Sequence, residues 1–319
     1  MTDDSSNVLT GDDVRHVDGR DASQADGGAF HGLAGDDVRH VGDRDASQAD
    51  NGGPLHGLVG DDVRHVGDRD ASQAGNGSAL HGLAGTGAPH VLDNPALASL
   101  TGPHAHFAEK RGRVLRYPVD VSPWLALPDE PDAGAWADLA AQAGPGAEVM
   151  LTAYAGAVPE GWEITFHVEG VQLVDDGVAA APDPEAVRLG PADVPEILDL
   201  IARTQPGPFL PRTIEMGTYL GIRREGALVA MAGERLHPPG WTEISAVCTD
   251  PAVRGQGLAT RLILAVAHGI RERGETPFLH TGAHNTNAIR LYESLGFRLR
   301  RRTAFLAARV PERSPEAVS

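Results

Sequence analysis

The sequence predicts an α/β (α+β) protein, with a mixed central sheet flanked by helices, preceded by a small α/β module and a disordered tail carrying repeats. Three observations predict it. Residues 11–84 are three near-copies of one polar unit; residues 90–175 mix helix-spaced and strand-spaced apolar positions; and from residue 183 strands alternate with helices. One of those helices is entered through a glycine turn, in DPAVRGQGLATRLILAVAHG, residues 250–269.

The repeats run 11–34, 35–59 and 60–84, and a fading fourth unit starts at Gly85. Each has a few Val, Leu and Ala among Asp, Gly, Ser, Asn and Gln. That is too little apolar surface to offset an ordering entropy of about 1–2 kcal/mol per residue, so residues 1–88 are expected to be a disordered acidic tail. The recurring Asp-Asp-x-x-His, as in Asp36, Asp37 and His40, has suitable metal-ligand types, but that spacing is common by chance.

Sixteen Asp and six Arg through residue 85 place −10 of the overall −17 charge in the first quarter. This balance argues against nucleic acid and anionic membranes as partners, because phosphate binding needs clustered Lys and Arg. The single cysteine, Cys248, rules out an intramolecular disulfide. The N-terminus lacks a basic segment followed by an apolar one, and LILAVA at 262–267 falls short of the ~20 residues of a membrane span. A cytoplasmic protein without a signal peptide is expected.

In the module at 89–178, Trp136, Leu139, Ala140 and Ala143 recur at helical spacing before Gly144-Pro145. GWEITFHVEG sets Trp162, Ile164, Phe166 and Val168 on one face of a half-buried strand. Residues 112–119 and 147–154 read as further strands. His104, His106 and His167 read as surface or satisfied histidines. A linker is expected at 175–185. Beyond it, VRLG is a strand, and Asp193 with Glu196 resembles a capping box before Ile197, Leu198 and Ile201. Residues 218–236 read as two strands joined at Arg224 to Gly226, WTEISAVCT and PFLHT as strands, and FRLRRRTAFLAARV as a closing strand pair. A tail is expected at 312–319.

Three phosphate readings compete for RGQGLA. A P-loop needs a Lys after its second glycine, and a dinucleotide fingerprint needs a third glycine where Thr260 stands, so both fall. What remains is either a plain glycine turn before a core helix or two glycines that let backbone approach a ligand at a helix start, where first-turn N–H groups lack carbonyl partners. Leu258, Leu262, Val266 and Ile270 would bury that helix and fix the turn. In NTNAIRLYESLGF, 285–297, Ala288, Leu291, Tyr292 and Leu295 form a second apolar stripe ending at Gly296.

With these two motifs in this order, residues 183–311 resemble the GNAT superfamily of acyl-CoA N-acyltransferases. RGQGLA resembles the family's Arg/Gln-x-x-Gly-x-Gly/Ala loop, and NTNAIRLYESLGF its Asn-x-x-Ala-x-x-Leu-Tyr-x-x-x-Gly-Phe segment. The finer resemblance is to the glycine N-acyltransferase-like branch, in which a divergent N-terminal half precedes a complete catalytic domain. The resemblance implies acetyl-CoA as co-substrate, its pyrophosphate on Arg254, Gly255, Gln256, Gly257, Leu258 and Ala259, and its pantetheine along Val247, Cys248 and Thr249 and on Asn285. It implies Tyr292 as the acid for the leaving thiolate and Glu243 as a base, with Glu234, His280 and His284 as weaker alternatives. A solvated or paired strand carboxylate is the other reading of Glu243. No metal is required.

The implied reaction moves an acetyl group to a primary amine, of a small molecule or amino acid, by direct attack in a ternary complex. A protein or peptide acetyltransferase and a non-catalytic acyl-CoA-binding module are the alternatives. Cys248 reads as a small buried apolar residue. Residues 204–217 fall where relatives build an acceptor wall, in which Arg212 and Glu215 could recognise an acceptor or pair with each other. The sequence does not identify the acceptor or an oligomeric state.

Overall fold

The computed structural model describes residues 90–312 apart from 153 and 155, so the tandem repeats and the last residues of the C-terminal tail lie outside the described residues. In chain order the elements are α1 (Pro95–Leu100), β1 (Glu109–Arg111), β2 (Val114–Arg116), β3 (Trp124–Ala126), α2 (Ala133–Ala143), β4 (Glu148–Thr152), β5 (Glu163–Asp175) and β6 (Val187–Arg188). They continue with α3 (Val194–Thr204), β7 (Tyr219–Arg224), β8 (Ala227–Glu234), β9 (Trp241–Thr249), α4 (Leu258–Glu272), β10 (Thr276–Gly282), α5 (Thr286–Ser294) and β11 (Phe297–Arg309).

The eleven strands among the described residues join one mixed sheet, ordered β1-β2-β3-β4-β11-β5-β10-β9-β8-β7-β6. The strands of the expected N-terminal module, β1 to β5, therefore belong to the same sheet as the rest. Strand β5 lies between β10 and β11 and runs antiparallel to both. The strand changes character along its length. Gly170–Val174 pairs on both edges and is buried on both faces, which suits the unbroken run GVQLV. Before it, pairing is with β11 alone, and Ile164, expected inside, is 51% exposed. The expected closing strand pair is instead the single 13-residue β11, which bridges β4 and β5.

Helices α4 and α5 cover one face. Leu258, Leu262, Val266 and Ile270 of α4 pack with Ala288 and Tyr292 of α5 on Val171, Leu173, Ile244 and Leu279 of the central strands. On the other face α3 packs Ile197 and Leu200 with Phe209, Ile214, Met231 and Cys248. The expected capping box at α3 does not form. Asp193 turns back to the Gly190 N–H at 2.8 Å, and Glu196 reaches across to accept from the Leu228 N–H and Arg223. The expected linker is stitched to α4, where Arg261 holds Asp183 and Arg271 holds the Val178 carbonyl.

The β7–β8 turn forms where the sequence places it, with Glu225 and Gly226 at φ 51° and 87°, a twist that suits a two-residue hairpin. At the open end of the same hairpin, Gly233 faces Tyr219, and a Cβ there would overlap the buried Tyr219 ring. Overpacking a filled core costs about 1–3 kcal/mol. Gly233→Ala is therefore expected to lower the melting temperature, and adding Tyr219→Leu to recover part of the loss; equal melting of wild type and Gly233→Ala would contradict this packing.

Candidate active site

The parallel pairing of β9 with β10 covers only Trp241–Ile244 against Thr276–Leu279. Beyond that point β9 stays with β8 and β10 with β5, so the two strands part. The cause lies in β9. Between Ser245 and Cys248 it carries one residue more than the facing stretch of β8 from Gly233 to Met231, and Ala246 takes a left-handed φ of 52°. A non-glycine residue in that conformation costs about 1–2 kcal/mol, a strain that bulges concentrate beside functional sites. Within the otherwise buried β9 interior, Ser245 and Ala246 are half-exposed, so the bulge opens the sheet to solvent there.

Four residues past the bulge the chain enters the glycine turn. Asp250 accepts from the Ala252 N–H at 3.0 Å and from Arg203 at 2.9 Å, which fixes the turn's start. Gly255 and Gly257 have φ of 83° and 71°, and Gly257 is the N-cap of α4 without a side-chain cap on the helix. The first-turn amides of α4 are thus left for something other than a cap, in the positive end of the helix dipole. Leu258 and Ala259 are buried, so only their backbone can face a ligand; Arg254 is half-buried and Gln256 exposed.

Across the gap, Asn285 is the N-cap of α5, its Oδ1 accepting from the Ala288 N–H at 3.1 Å. That cap, rather than a ligand, explains its oxygen. Tyr292 is buried in the α4–α5 core, edge-on to Phe297 at 6.2 Å, and burial pushes its hydroxyl pKa well above the usual phenol range. It therefore stays protonated at neutral pH, as a proton donor must.

Glu243 is the centre of a buried polar chain. Arg235 grips both its oxygens at 2.9 and 2.8 Å, His280 Nδ1 lies at 2.7 Å, and the Leu236 N–H points to it at 3.3 Å. Burial would raise this carboxyl, but the Arg235 charge and the hydrogen bonds from Arg235 and His280 hold it well below the usual carboxylate range. A fully buried carboxylate so committed is a poor proton acceptor. The structure thus fits the paired-carboxylate reading of Glu243 and not the base.

His280 Nε2 meets Gln172 Nε2 at 3.0 Å, and that amide nitrogen also donates to the Leu92 carbonyl. Arg300 donates to Gln172 Oε1, which fixes the amide orientation. His280 is therefore the tautomer with hydrogen on Nδ1, donating to Glu243. Arg235 and Gln172 escaped the sequence reading, since neither belongs to a motif and Gln172 arrives from the distant β5.

The remaining candidates are also placed. Glu234 is buried and accepts from the Thr218 N–H and Arg273, while His284 lies exposed in the loop before α5. Burial pushes the Cys248 thiol up to about 12, consistent with an inert packed residue. Arg212 and Glu215 pair with each other through two bonds of 2.8 Å. Among the described residues no group of three or more His, Cys, Asp or Glu is arranged to hold a metal, and no helix is long and apolar enough to cross a membrane.

A mixed sheet with two parting parallel strands, followed by an uncapped helix start, fits the acyl-CoA transferase resemblance of the sequence, and comparison with known proteins agrees. The model of the FR47-like protein family matches residues 219–306. A solved putative acetyltransferase of the GNAT family from Novosphingobium aromaticivorans is 40% identical, with a TM-score of 0.63, over 69% of this chain and 98% of that one. The chain belongs to the GNAT family. Mycothiol acetyltransferase of Thermomonospora curvata is 38% identical over 82 residues, 25% of this chain and 27% of that protein. N-alpha-acetyltransferase RimI of Mycobacterium tuberculosis is 38% identical over 90 residues, 26% and 56% respectively. The chain thus spans between about a quarter and just over half of the length of these curated relatives.

Removing one partner of a buried ion pair costs about 3–5 kcal/mol. Glu243→Ala is expected to lower the melting temperature by roughly 6–20 °C at neutral pH, given about 2–4 °C per kcal/mol for a domain of this size. Because the folded carboxyl is held below its unfolded value of about 4.3, the stabilisation is full above that pH and lost as pH falls through the folded value. The gap between variant and wild type should therefore shrink in melts below about pH 4; a gap that stays constant in acid would contradict the pairing.

Proposed function

We propose that the chain transfers an acetyl group from acetyl-CoA to a primary amine of a small molecule, by direct attack in a ternary complex. The observation that carries this reading is the parting of β9 and β10 at the Ala246 bulge, with the uncapped amides of α4 beyond one strand and the buried hydroxyl of Tyr292 behind the other.

In this reading the amides at Arg254 to Ala259 seat the pyrophosphate, Val247 to Thr249 pair with the pantetheine, and Asn285 orients the start of α5 beside it. The amine nitrogen attacks the thioester carbonyl carbon, and backbone donors freed by the bulge stabilise the oxyanion. Collapse breaks the carbon–sulfur bond, Tyr292 passes its proton to the departing sulfur, and the second proton of the attacking nitrogen leaves through water and restores the Tyr292 hydroxyl. Glu243 holds β9 in shape through Arg235 and His280 and takes no proton. The ammonium proton leaves to water at the half-exposed Ser245 and Ala246 before attack.

The mycothiol acetyltransferase relatives favour a small-molecule acceptor. The RimI relative supports a second reading, transfer to the N-terminal amine of a protein. The comparisons support the family without the finer placement in the glycine N-acyltransferase-like branch. A cytoplasmic setting suits the supply of acetyl-CoA.

Acetyl-CoA offered with a panel of amino acids, amino sugars, polyamines and N-terminal peptides should release CoA thiol with at least one small amine; silence across the panel would defeat the proposal. With that amine, Tyr292→Phe is expected to lower kcat by about 10²-fold or more, since a positioned acid contributes about 10²–10⁴. The acetyl-CoA Kd should hardly change, and a kcat within twofold of wild type would remove Tyr292 from the role.

The pH profile offers a separate check. Glu243 is held low, His104 and His237 are pushed down to about 3 and about 4 by burial, and Tyr292 is pushed up. None of them titrates near neutrality, so log kcat/KM should rise by about one unit per pH unit toward the acceptor's own pKa, about 10.4 for an alkyl amine. A plateau setting in near pH 6–7 would instead assign the proton to a protein histidine.

A further inference from the structure

Among the described residues the face carrying α4 and α5 is filled by core packing, so the approach for an amine to the gap between β9 and β10 is the opposite face, where Ser245 lies half-exposed. Two parts of the chain cover that opposite face. Helix α3 with residues 205–218 covers the outer strands, through Phe209 and Ile214 against Met231 and Cys248. Residues 90–127 cover the central strands. The Leu92 carbonyl accepts from Gln172, the His90 ring packs on Trp241 at 5.6 Å, and the Trp124 ring lies 5.4 Å from the Arg235 guanidinium.

The seam between these two covers is closed by hydrogen bonds. Thr213 Oγ1 donates to the Val121 carbonyl at 2.7 Å, and the Arg212 N–H donates to the Asp120 carbonyl at 2.9 Å. Arg212 also reaches the Asp120 carboxylate at 3.3 Å. His104 Nε2 lies 3.1 Å from the Met216 carbonyl and its Nδ1 3.0 Å from the Tyr117 hydroxyl. A carbonyl only accepts, so Nε2 carries the hydrogen and Nδ1 accepts from Tyr117. Burial pushes the His104 pKa down to about 3, which keeps this bridge in one state across the physiological range. Tyr117, His104 and Met216 thus form one buried bridge from the N-terminal half into the loop before β7.

We infer that residues 90–127 are the second wall of the acceptor site, clamped to the loop at 205–218 through His104 and Thr213, and that the clamp limits the opening at Ser245 to compact amines and shuts out a polypeptide. The inference rests on the acetyl-transfer reading for its acceptor, but the wall itself is testable without turnover. His104 and Thr213 are positioning residues, acting through the loop they hold.

Ser245→Cys places a thiol at the opening, and the native Cys248 is buried and unreactive, so labelling reports one site. Its labelling rates with N-methylmaleimide and with a maleimide-capped hexapeptide are compared, each relative to free cysteine. The hexapeptide is expected to label about tenfold or more slowly than the small reagent, because its entry requires local opening. Adding His104→Ala should bring the two rates together, His104→Gln, which keeps a donor toward Met216, should keep them apart, and Thr213→Val should act like His104→Ala. Equal rates in Ser245→Cys alone, no labelling by either reagent, or clamp variants that melt like wild type yet leave the ratio unchanged would overturn the wall. Thiol release with small amines but not with hexapeptides bearing the same N-terminal residue is the matching turnover result. Failure of every acceptor would defeat the acetyl-transfer reading while the labelling still decides the wall.

Discussion

Everything at the site follows from a parallel strand pair that stops after four residues. β9 and β10 are held together by ladder bonds up to Ile244 and Leu279, and past that point each is committed to its outer neighbour. A parallel pair left open in a sheet interior would expose unpaired backbone groups, which are costly unless water or a ligand meets them. The bulge at Ala246 lies where the pairing stops, and that residue, with its left-handed φ, packs against the α3 cluster that includes Met231 and Cys248.

The buried Arg235–Glu243–His280 chain sits just before the strands part and stiffens the last paired segment. An ion pair there is a poor device for net stability, since desolvation consumes most of the Coulomb gain. Its value is directional. Arg235 directly follows β8, Glu243 is on β9, His280 on β10 and Gln172 on β5, so one polar chain ties four strands in register at the point where ladder bonds cease. Arg300, the extra residue of a bulge in β11, extends the tie to a fifth strand and to Asp93 ahead of α1.

What the sequence made legible was local. The α4 stripe, the glycine turn, the α5 stripe with Tyr292 and the β7–β8 hairpin all follow from spacing within about fifteen residues, and each is found where the pattern places it. What it hid was long-range. Nothing in GVQLV says that β5 enters the sheet between two strands more than a hundred residues later, and once it does, Ile164 loses the neighbour that would have buried it. Asp193 and Glu196 show the same limit, because a capping-box spacing lost to an arginine and a backbone N–H supplied by β7 and β8. Glu243 was visible as a strand carboxylate of either kind, and only the arrival of Arg235 and His280 from neighbouring strands decides that it is paired.

This division between local and long-range has a consequence for the chemistry. The family model spans residues 219–306, which hold the bulge, the glycine turn and Tyr292, all the parts assigned to the acetyl donor. The strand between β10 and β11, the cover over the opposite face and the bridge through His104 all come from residues outside that span. In the proposed reading the matched segment carries the donor side, and residues outside that segment build the acceptor side. The two sides cannot be tuned independently, because β5 serves both. Its Gly170–Val174 stretch completes the central sheet beneath α4, and Gln172 within it carries the load from His280 to the cover at Leu92. A substitution in β5 aimed at the cover would thus also disturb the strand that flanks β10, and changes in acceptor preference are best sought in the seam rather than in the sheet.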